Sequence, residues 1–235
     1  RIIVDEALRR GIDVQVDDAA GGLFTLSLGG RRIRCRESLS DLTSAVTMTL
    51  CQDKRLTRHA LHNAGLQVPA QQLAGNADDN LAFLDEHGAV VVKPVDGEQG
   101  QGVAVNLTCI DDITRAVAHA RQFDSRVLLE SFHAGLDLRI VVIGYEVVAA
   151  AIRHPAQVLG DGRHSIRQLI DAQSRRRQAA TAGESRIPLD DETERTLRAA
   201  GFGYDDVLPA DQRLAVRRTA NLHTGGTLED VTERL

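Results

Sequence analysis

The stretch VVVKPVDGEQGQGVAVNLT, residues 90–108, combines residue types that bind anions. Lys93 lies at the end of a β-branched run, and Gly97, Gly100 and Gly102 follow it. Glycine lets a backbone N–H approach an anion without a Cβ clash, and lysine adds a point charge. The spacing therefore predicts a loop that binds phosphate groups.

The order of these residues argues against two common phosphate-binding loops. In a dinucleotide-binding fold the glycines open a helix, whereas VAVNLT alternates like a strand. In a Walker A loop the lysine follows the last glycine, whereas Lys93 precedes the first. A glycine hairpin between two strands can instead fold over nucleotide phosphates. For the glycines alone, a tight hairpin with a surface lysine is the simpler interpretation.

Charged residues on both sides of the loop strengthen the nucleotide interpretation. Lys54 precedes it, Glu130 ends a later strand, and Asp137 and Arg139 open the next one. A linker between two lobes offers backbone hydrogen bonds to an adenine. A carboxylate can accept from ribose hydroxyls, and an arginine can bind a phosphate in fork geometry.

Taken together, these motifs resemble those of the ATP-grasp carboxylate–amine ligases. The motifs are DKxxT with GxxVP, then VVVKP with the GxxGxG loop, then LLE with GxDxR. The later stretches AAAIRHPAQVLGDGRHSIRQLID and RTANLHTGGTLEDVTERL are similar to cyanophycin synthetases, and the whole chain resembles the ATP-grasp part of N-acetylglutaminylglutamine synthetases. The resemblance implies an α+β ATP-grasp fold, in which two lobes hold ATP between them and the glycine hairpin is a mobile lid.

The resemblance also implies roles for individual residues. Lys54 and Lys93 match the lysines that contact ATP phosphates, and either Glu130 or Asp137 lies on the ribose side. The remaining matches are Gly97, Gln99, Gly100 and Gly102 in the lid; Glu130, Ser131, Phe132 and His133 beside adenine; Arg139, Arg218 and Asn221 as catalytic residues; and Arg153, His223, Gly225 and Gly226 as substrate-binding residues.

The implied activity is the ATP-dependent formation of an amide or peptide bond between small amino-acid substrates. ATP would phosphorylate a carboxylate, and an amine would attack the acyl phosphate, with ATP and Mg²⁺ as cofactors. The family places its magnesium ligands in a later acidic strand and a Glu-x-Asn motif, and this chain contains no Glu-x-Asn. We therefore predict no metal ligand and expect a C-terminally truncated chain that is inactive alone. Two alternatives remain: a cyanophycin- or glutathione-type ligase, and a nucleotide-binding module without catalysis.

Alternating helical and strand patterns predict the α+β class with three segments. Residues 1–51 are expected to form an N-terminal segment that leads into the ATP-grasp fold. Residues 52–132 would form the lobe with the lysines and the lid, and residues 133–235 an incomplete second lobe. Local signals predict a hairpin at Gly29-Gly30, helix caps at Asp41 or Asp53, and a hairpin turn at Asp161-Gly162. The run SRRRQ, residues 174–178, fits an acidic-peptide site or a solvated helix face, and the second is favoured.

The composition limits the compartment and the partners. The net charge of −5 argues against a nucleic-acid partner, and no apolar run approaches the roughly 18 residues of a membrane span. Cys35, Cys51 and Cys109 show no metal-binding spacing, and their odd number fits the reducing cytoplasm. We expect all three to be small buried hydrophobic residues. The predicted partners are amino-acid substrates, and the oligomeric state stays open.

Overall fold

The computed structural model describes residues 1–97 and 100–234 of the chain. The chain divides into two compact units, Arg1–Gln67 and Val68–Leu235. This division does not coincide with the expected boundaries after residues 51 and 132, which stay predictions about the lobes. Within the described part of the chain, every helix is too short or too polar to cross a lipid bilayer.

The first unit is built around an antiparallel sheet whose strands follow one another in chain order. The predicted hairpin at Gly29-Gly30 is confirmed, and the φ angles of these glycines are 56° and 79°. Glycine adopts this left-handed region without the steric cost of a Cβ. The elements are α1 (Ile2–Arg9), β1 (Asp13–Asp18), β2 (Leu23–Leu28), β3 (Arg31–Arg36) and β4 (Leu39–Ser40).

Two helices complete the first unit, α2 (Ala45–Gln52) and α3 (Lys54–Asn63). Ser44 caps α2 and Asp53 caps α3, and each side chain accepts backbone N–H groups of the first turn. The expectation for Asp53 is confirmed. Asp41 begins no helix, because its carboxylate accepts a backbone N–H of β3.

The second unit starts with an antiparallel sheet of order β5-β8-β6-β7. Val90 and Val92 are fully buried against two helices, and Lys93 therefore lies on the opposite face, since side chains alternate along a strand. The elements are β5 (Gln71–Leu73), α4 (Ala77–His87), β6 (Val90–Pro94), β7 (Ala104–Leu107), α5 (Ile110–Ala120) and β8 (Val127–Ser131).

The rest of the second unit contains a sheet of order β13-β10-β9, a two-stranded ribbon of β11 with β12, and two helices. Ile166, Ile170, Leu197, Leu208 and Val216 form the centre of a separate apolar core around these helices. The elements are β9 (Asp137–Ile143), β10 (Glu146–His154), β11 (Gln157–Leu159), α6 (Ile166–Ala180), α7 (Asp191–Ala199), β12 (Arg213–Ala215), β13 (Thr227–Asp230) and a 3₁₀ turn (Thr232–Arg234).

The α+β class is confirmed, but two local expectations are wrong. Cys35 is buried, whereas Cys51 and Cys109 are exposed, because neither faces a core. Asp161 does not form a hairpin turn. Its carboxylate accepts backbone N–H groups of the next residues and leads the chain into α6, while β11 pairs with the distant β12.

Candidate functional site

Lys93 and Glu130 form an ion pair on the face of the sheet opposite the core. Lys93 Nζ donates to Glu130 Oε2 at 2.7 Å, and Gln71 Nε2 donates to the same oxygen at 3.1 Å. The side chains of Lys93 and Glu130 are only 18% and 16% exposed. A cation in this setting interacts strongly with an anion, because little water screens it. Two predicted nucleotide-binding residues are thus brought together.

The predicted adenine-binding segment continues directly from Glu130. The backbone N–H of Ser131 donates to Ala70 O, and that of Phe132 donates to Ala89 O, both at 2.9 Å. The Ser131 hydroxyl lies 3.0 Å from Nε2 of His133. Two backbone N–H groups of this segment therefore already bond to protein. A purine would be recognised by the backbone carbonyl groups of the segment and by the residues after Phe132.

The glycine loop connects β6 to β7 as an antiparallel hairpin, as the sequence predicts. Gly97, Gly100 and Gly102 have φ angles of 149°, 76° and 66°, which disfavour residues with a Cβ. A Cβ on Gly100 would lie 3.3 Å from Asn221 Nδ2. The loop therefore lies against another predicted site residue. Gln99, also predicted for the lid, lies outside the described residues.

Gly102 has a packing reason of its own. A Cβ at this position would lie 2.8 Å from Phe123 Cδ2 and 2.9 Å from Pro94 Cγ. Both distances are shorter than real Cβ contacts, so the close approach of the loop to α5 requires glycine here. The need for a bare backbone at Gly102 is thus explained by the protein itself, without a ligand.

Asp137, Arg139 and Arg153 share one face of the β9–β10 hairpin. Asp137 lies opposite Arg153, and Arg139 lies opposite Ala151. Arg153 binds Asp137 in fork geometry, with Nε to Oδ1 at 2.9 Å and Nη2 to Oδ2 at 3.0 Å. Both oxygens of Asp137 are therefore engaged, and a ribose hydroxyl would have to compete with Arg153 for them.

The other predicted catalytic residues lie in one turn, residues 218–226. Asn221 Oδ1 accepts the backbone N–H of His223 at 2.8 Å, which directs the amide NH₂ group toward Gly100. Arg218 Nη1 donates to Asn106 O of β7 at 3.2 Å. The turn therefore faces the glycine hairpin through both side chains.

The predicted substrate-binding residues of this turn have structural roles. His223 donates from Nδ1 to Glu184 O at 3.2 Å. A Cβ on Gly225 would lie 2.4 Å from Ile187 Cγ1, and one on Gly226 would lie 2.8 Å from Asn221 O. Both glycines are thus needed for the turn to pack against its surroundings.

Sequence reasoning missed the groups that hold this turn in place. Glu192 at the start of α7 binds Arg217, Arg218 and Thr219, and Arg177 of α6 binds carbonyl oxygens at the far end of the turn. These partners lie 25 to 49 residues apart in the chain. No local pattern joins them, because the connection depends on how the two helices pack.

A cavity of about 860 Å³ lies beside the glycine hairpin on its α5 side. The cavity is lined by arginines and by acidic residues of α7 and of the segment just before it, including Asp190, Glu192 and Glu194. Lys93 and Glu130 are not among its lining residues. This cavity is therefore separate from the lysine–glutamate pair.

Within residues 1–97 and 100–234, no group of three His, Cys, Asp or Glu side chains is arranged to hold a metal ion.

Lys54 is the first residue of α3 in the first unit, directly after the cap Asp53.

The sequence profile of the RimK-like ATP-grasp domain matches residues 51–171. The chain is 31% identical over 238 residues to cyanophycin synthetase of Trichormus variabilis, covering 99% of this chain and 26% of that protein. It is 26% identical to the glutathione biosynthesis bifunctional protein GshAB of Clostridium perfringens, covering 100% of this chain and 31% of that protein.

Among solved structures, a bifunctional glutathione synthetase from Pasteurella multocida is similar, with a TM-score of 0.58 and 23% identity. The match covers 99% of this chain and 32% of that one. The fold is therefore shared along nearly the whole chain, which spans about a quarter of the length of the cyanophycin synthetases it matches.

Proposed function

Because the chain belongs to the RimK-like ATP-grasp family, we propose that the protein is an ATP-dependent ligase that joins a carboxylate to an amine. The substrates are small amino acids or their derivatives, and the product is an amide or peptide bond. ATP-grasp ligases use ATP and Mg²⁺. The activity is proposed for the whole protein, since the chain spans only part of the length of its relatives.

The positions of the two lysines in the chain are the main support for this proposal. The chain contains 28 lysines and arginines, and only Lys54 and Lys93 are lysines. Both are the positions at which the family resemblance expects contacts with ATP phosphates. Lysine offers a compact point charge with rotatable donors, and arginine does not replace it at every phosphate site. A chain that otherwise uses arginine thus keeps lysine where phosphate binding would require it.

The surroundings of Lys93 support a nucleotide. Glu130 uses Oε2 for Lys93 and Gln71, and among the described residues its Oε1 accepts no hydrogen bond. That oxygen is available to a ribose hydroxyl, whereas both oxygens of Asp137 bind Arg153. Of the two carboxylates predicted for the ribose side, the geometry favours Glu130.

The reaction requires positive charge near the triphosphate, because a carboxylate attacking a phosphate brings two anions together. Donors fixed in a site that excludes water can lower such a barrier by several kcal/mol. We assign this role to Lys93, to the arginines at positions 139 and 218, and to the Asn221 amide. Arg153 would bind the substrate carboxylate through Nη1, because its Nε and Nη2 donate to Asp137. When bound, Mg²⁺ supplies further neutralisation of the phosphates.

The glycine hairpin has a protective role in this proposal. An acyl phosphate is hydrolysed readily, so water must be kept from it until the amine attacks. The hairpin contacts the turn of residues 218–226 through Gly100 and Asn106. A closed hairpin would therefore cover the acyl phosphate while leaving the Asn221 amide beside it.

For the substrates, we propose a reaction like that of N-acetylglutaminylglutamine synthetases, whose product would act as an osmoprotectant. The support is the resemblance of the motifs along the chain. The second candidate is a cyanophycin- or glutathione-type ligase, and its support is the 31% and 26% identity to cyanophycin synthetase and GshAB.

The test is ATP-dependent phosphate release by the full-length protein with Mg²⁺ and a panel of amino acids and N-acetyl amino acids. We expect release only when both a carboxylate and an amine partner are present, with a new amide seen by mass spectrometry. Glutamine with N-acetylglutamine supports the first candidate, and an aspartate- or cysteine-containing product supports the second. ATP binding without release from any pair would contradict the ligase and indicate a nucleotide-binding module.

A further inference from the structure

Glu192, the second residue of α7, fixes the backbone at the start of the turn of residues 218–226. Its side chain is buried, at 7% exposure of the residue. Oε1 accepts the N–H of Arg218 at 3.1 Å, and the N–H and the hydroxyl of Thr219 at 2.9 Å each. One carboxylate oxygen therefore orients two consecutive peptide groups of the turn.

The other oxygen of Glu192 binds a buried arginine. Arg217 is 4% exposed and donates from Nη2 to Glu192 Oε2. Its Nη1 donates to Asp190 Oδ1 at 2.7 Å and to Thr193 Oγ1 at 2.9 Å. The carboxylate is thus held in one orientation by a cation that is itself anchored to α7 and its cap.

Stability alone does not explain the buried ion pair between Arg217 and Glu192. Burying an ion pair costs desolvation that its attraction only partly offsets. Arg217 Nε is also buried without a hydrogen-bond partner among the described residues, which adds a cost. An apolar pair of similar size would serve a core at least as well. What the ion pair provides in addition is the fixed position of the Arg218 and Thr219 backbone.

The far end of the same turn is held by α6. Arg177 Nη2 donates to Gly226 O at 2.5 Å and to Leu222 O at 3.5 Å, and its Nε donates to Ser185 Oγ at 3.0 Å. Ser185 in turn donates to Leu222 O at 2.5 Å. The turn is therefore clamped at both ends by residues from the two helices between β11 and β12.

Between the clamps, two side chains point at the glycine hairpin. Arg218 reaches Asn106 O of β7, and the Asn221 amide lies against Gly100. With its backbone N–H bound to Glu192, Arg218 cannot shift without breaking that bond. The clamp at Glu192 thus determines where both side chains meet the hairpin.

We propose that Glu192 is a positioning residue for the ligation step, which holds Arg218 and Asn221 in place against the glycine hairpin. The kinetic part of this proposal depends on the proposed ligase function. Displacement of a reacting group by about 1 Å can cost roughly 100-fold in rate. We therefore expect Glu192→Gln to lower kcat by about this factor while the KM for ATP changes less than about twofold, since Lys93 and Glu130 are untouched.

A milder variant with a matched control covers the case in which Glu192→Gln fails to fold. Thr219→Val removes one hydroxyl that donates to Glu192 Oε1. Thr196→Val removes a buried hydroxyl that donates to the backbone oxygen of the same Glu192, so it affects α7 and not the turn. Loss of one hydrogen bond corresponds to about a fivefold effect. We expect kcat to fall by about that factor in Thr219→Val and to stay within about twofold of wild type in Thr196→Val, at a similar loss of thermal stability.

Hydrogen exchange of the peptides covering residues 216–226 gives a readout that needs no activity. We expect faster exchange of this segment in Glu192→Gln and Thr219→Val, and unchanged exchange in Thr196→Val, in the full-length protein. Unchanged exchange in the first two variants, or wild-type kcat in Glu192→Gln, would overturn the proposal. If the wild type joins no substrate pair, the proposed function fails, and the exchange rates alone still decide whether Glu192 positions the turn.

Discussion

Lys93 and Glu130 lie diagonally across two antiparallel strands, and their charged atoms are 2.7 Å apart. Glu130 is directly opposite Val91, so Lys93 is two residues further along β6 on the same face. Diagonal neighbours in a sheet lie about 7–8 Å apart at Cα, a gap that a lysine side chain spans. The Glu130 carboxylate neutralises the positive charge of Lys93. An anionic ligand would therefore have to compete with this carboxylate for the Lys93 ammonium group.

The first prediction concerns the charge of Lys93. We expect Lys93→Ala to lower kcat/KM for ATP-dependent ligation by roughly 100- to 1,000-fold, the usual effect of removing one donor that stabilises developing charge. Because the variant also leaves Glu130 half-buried without its cation, its melting temperature should fall. Lys93→Ala with Glu130→Gln serves as the control and should regain stability without regaining activity. Full activity in Lys93→Ala would remove this lysine from the site.

The second prediction uses the scarcity of lysine in this region. An amine-selective acylating reagent can modify only Lys54 and Lys93 among the side chains of these 235 residues. We expect saturating Mg-ATP to slow the acylation of both lysines severalfold, since a bound phosphate occupies the amine. Peptide mapping by mass spectrometry separates them from lysines elsewhere in the full-length protein. Equal rates with and without nucleotide would contradict the phosphate contacts.

Local patterns predict the parts of the fold that one strand or one turn determines. The Gly29-Gly30 hairpin, the cap at Asp53 and the strand carrying Lys93 each depend on a few neighbouring residues, and all three are confirmed. The placement of Lys93 opposite the core follows from simple alternation in VVVKP. To predict the ion pair with Glu130, the register of β6 with β8 would also have to be known, and the local pattern does not give it.

The rest could not be read locally, because it depends on contacts between distant segments. Gly225 looked like a bare backbone for a substrate, yet a Cβ there would collide with Ile187, which lies 38 residues earlier in the chain. A solvated helix face was the favoured interpretation of the run SRRRQ over an acidic-peptide site. Arg175 and Arg176 are exposed, but Arg177 is partly buried and bound to the turn. Exposure of Cys109 likewise depends on which side of α5 meets the sheet.

The third prediction follows from the cap of α3. A hydrogen bond from the Arg55 side chain, with backbone N–H groups of the first turn, lowers the pKa of Asp53 from 3.8 to about 2. A lowered pKa means that the unfolded chain binds the proton more readily, so this stabilisation is complete above about pH 4 and is lost as the pH falls toward 2. Urea unfolding between these pH values should show wild type losing more stability than Asp53→Asn.

Asp53→Asn is the matched control for that titration, because asparagine caps a helix about as well as aspartate but carries no titrating group. Asp53→Ala should instead cost about 1 kcal/mol at neutral pH through loss of the cap. A parallel pH dependence in wild type and Asp53→Asn would show that the Asp53 charge does not contribute to acid sensitivity.

The fourth prediction separates two neighbouring arginines of α6. Arg177→Met removes the donors to Gly226 O and Leu222 O, and Leu222 O keeps the Ser185 hydroxyl. We expect faster hydrogen exchange of the turn and a lower unfolding free energy by about 1–3 kcal/mol, since the buried Gly226 carbonyl loses its side-chain donor. Arg176→Met changes an exposed side chain of the same helix and should stay within about 0.5 kcal/mol of wild type. Similar effects of the two changes would contradict the clamp.

The fifth prediction tests whether Gly225 is required by packing or only by its backbone conformation. Gly225 and Gly183 both have positive φ angles, 96° and 93°. A Cβ on Gly183 would meet open space, whereas one on Gly225 would lie 2.4 Å from Ile187 Cγ1 and 3.1 Å from Ala156 Cβ. Gly183→Ala therefore adds only backbone strain, about 1–2 kcal/mol. Gly225→Ala adds overpacking of a further 1–3 kcal/mol or so.

We expect urea unfolding to show Gly225→Ala clearly less stable than Gly183→Ala. Its ligation rate should fall as well, because the turn that carries Asn221 must move away from Ile187 to admit the methyl group. Equal unfolding free energies in the two variants would mean that the turn adapts without cost, and packing would then not explain the glycine. In that case a close approach of substrate to the backbone would again be the better explanation for Gly225.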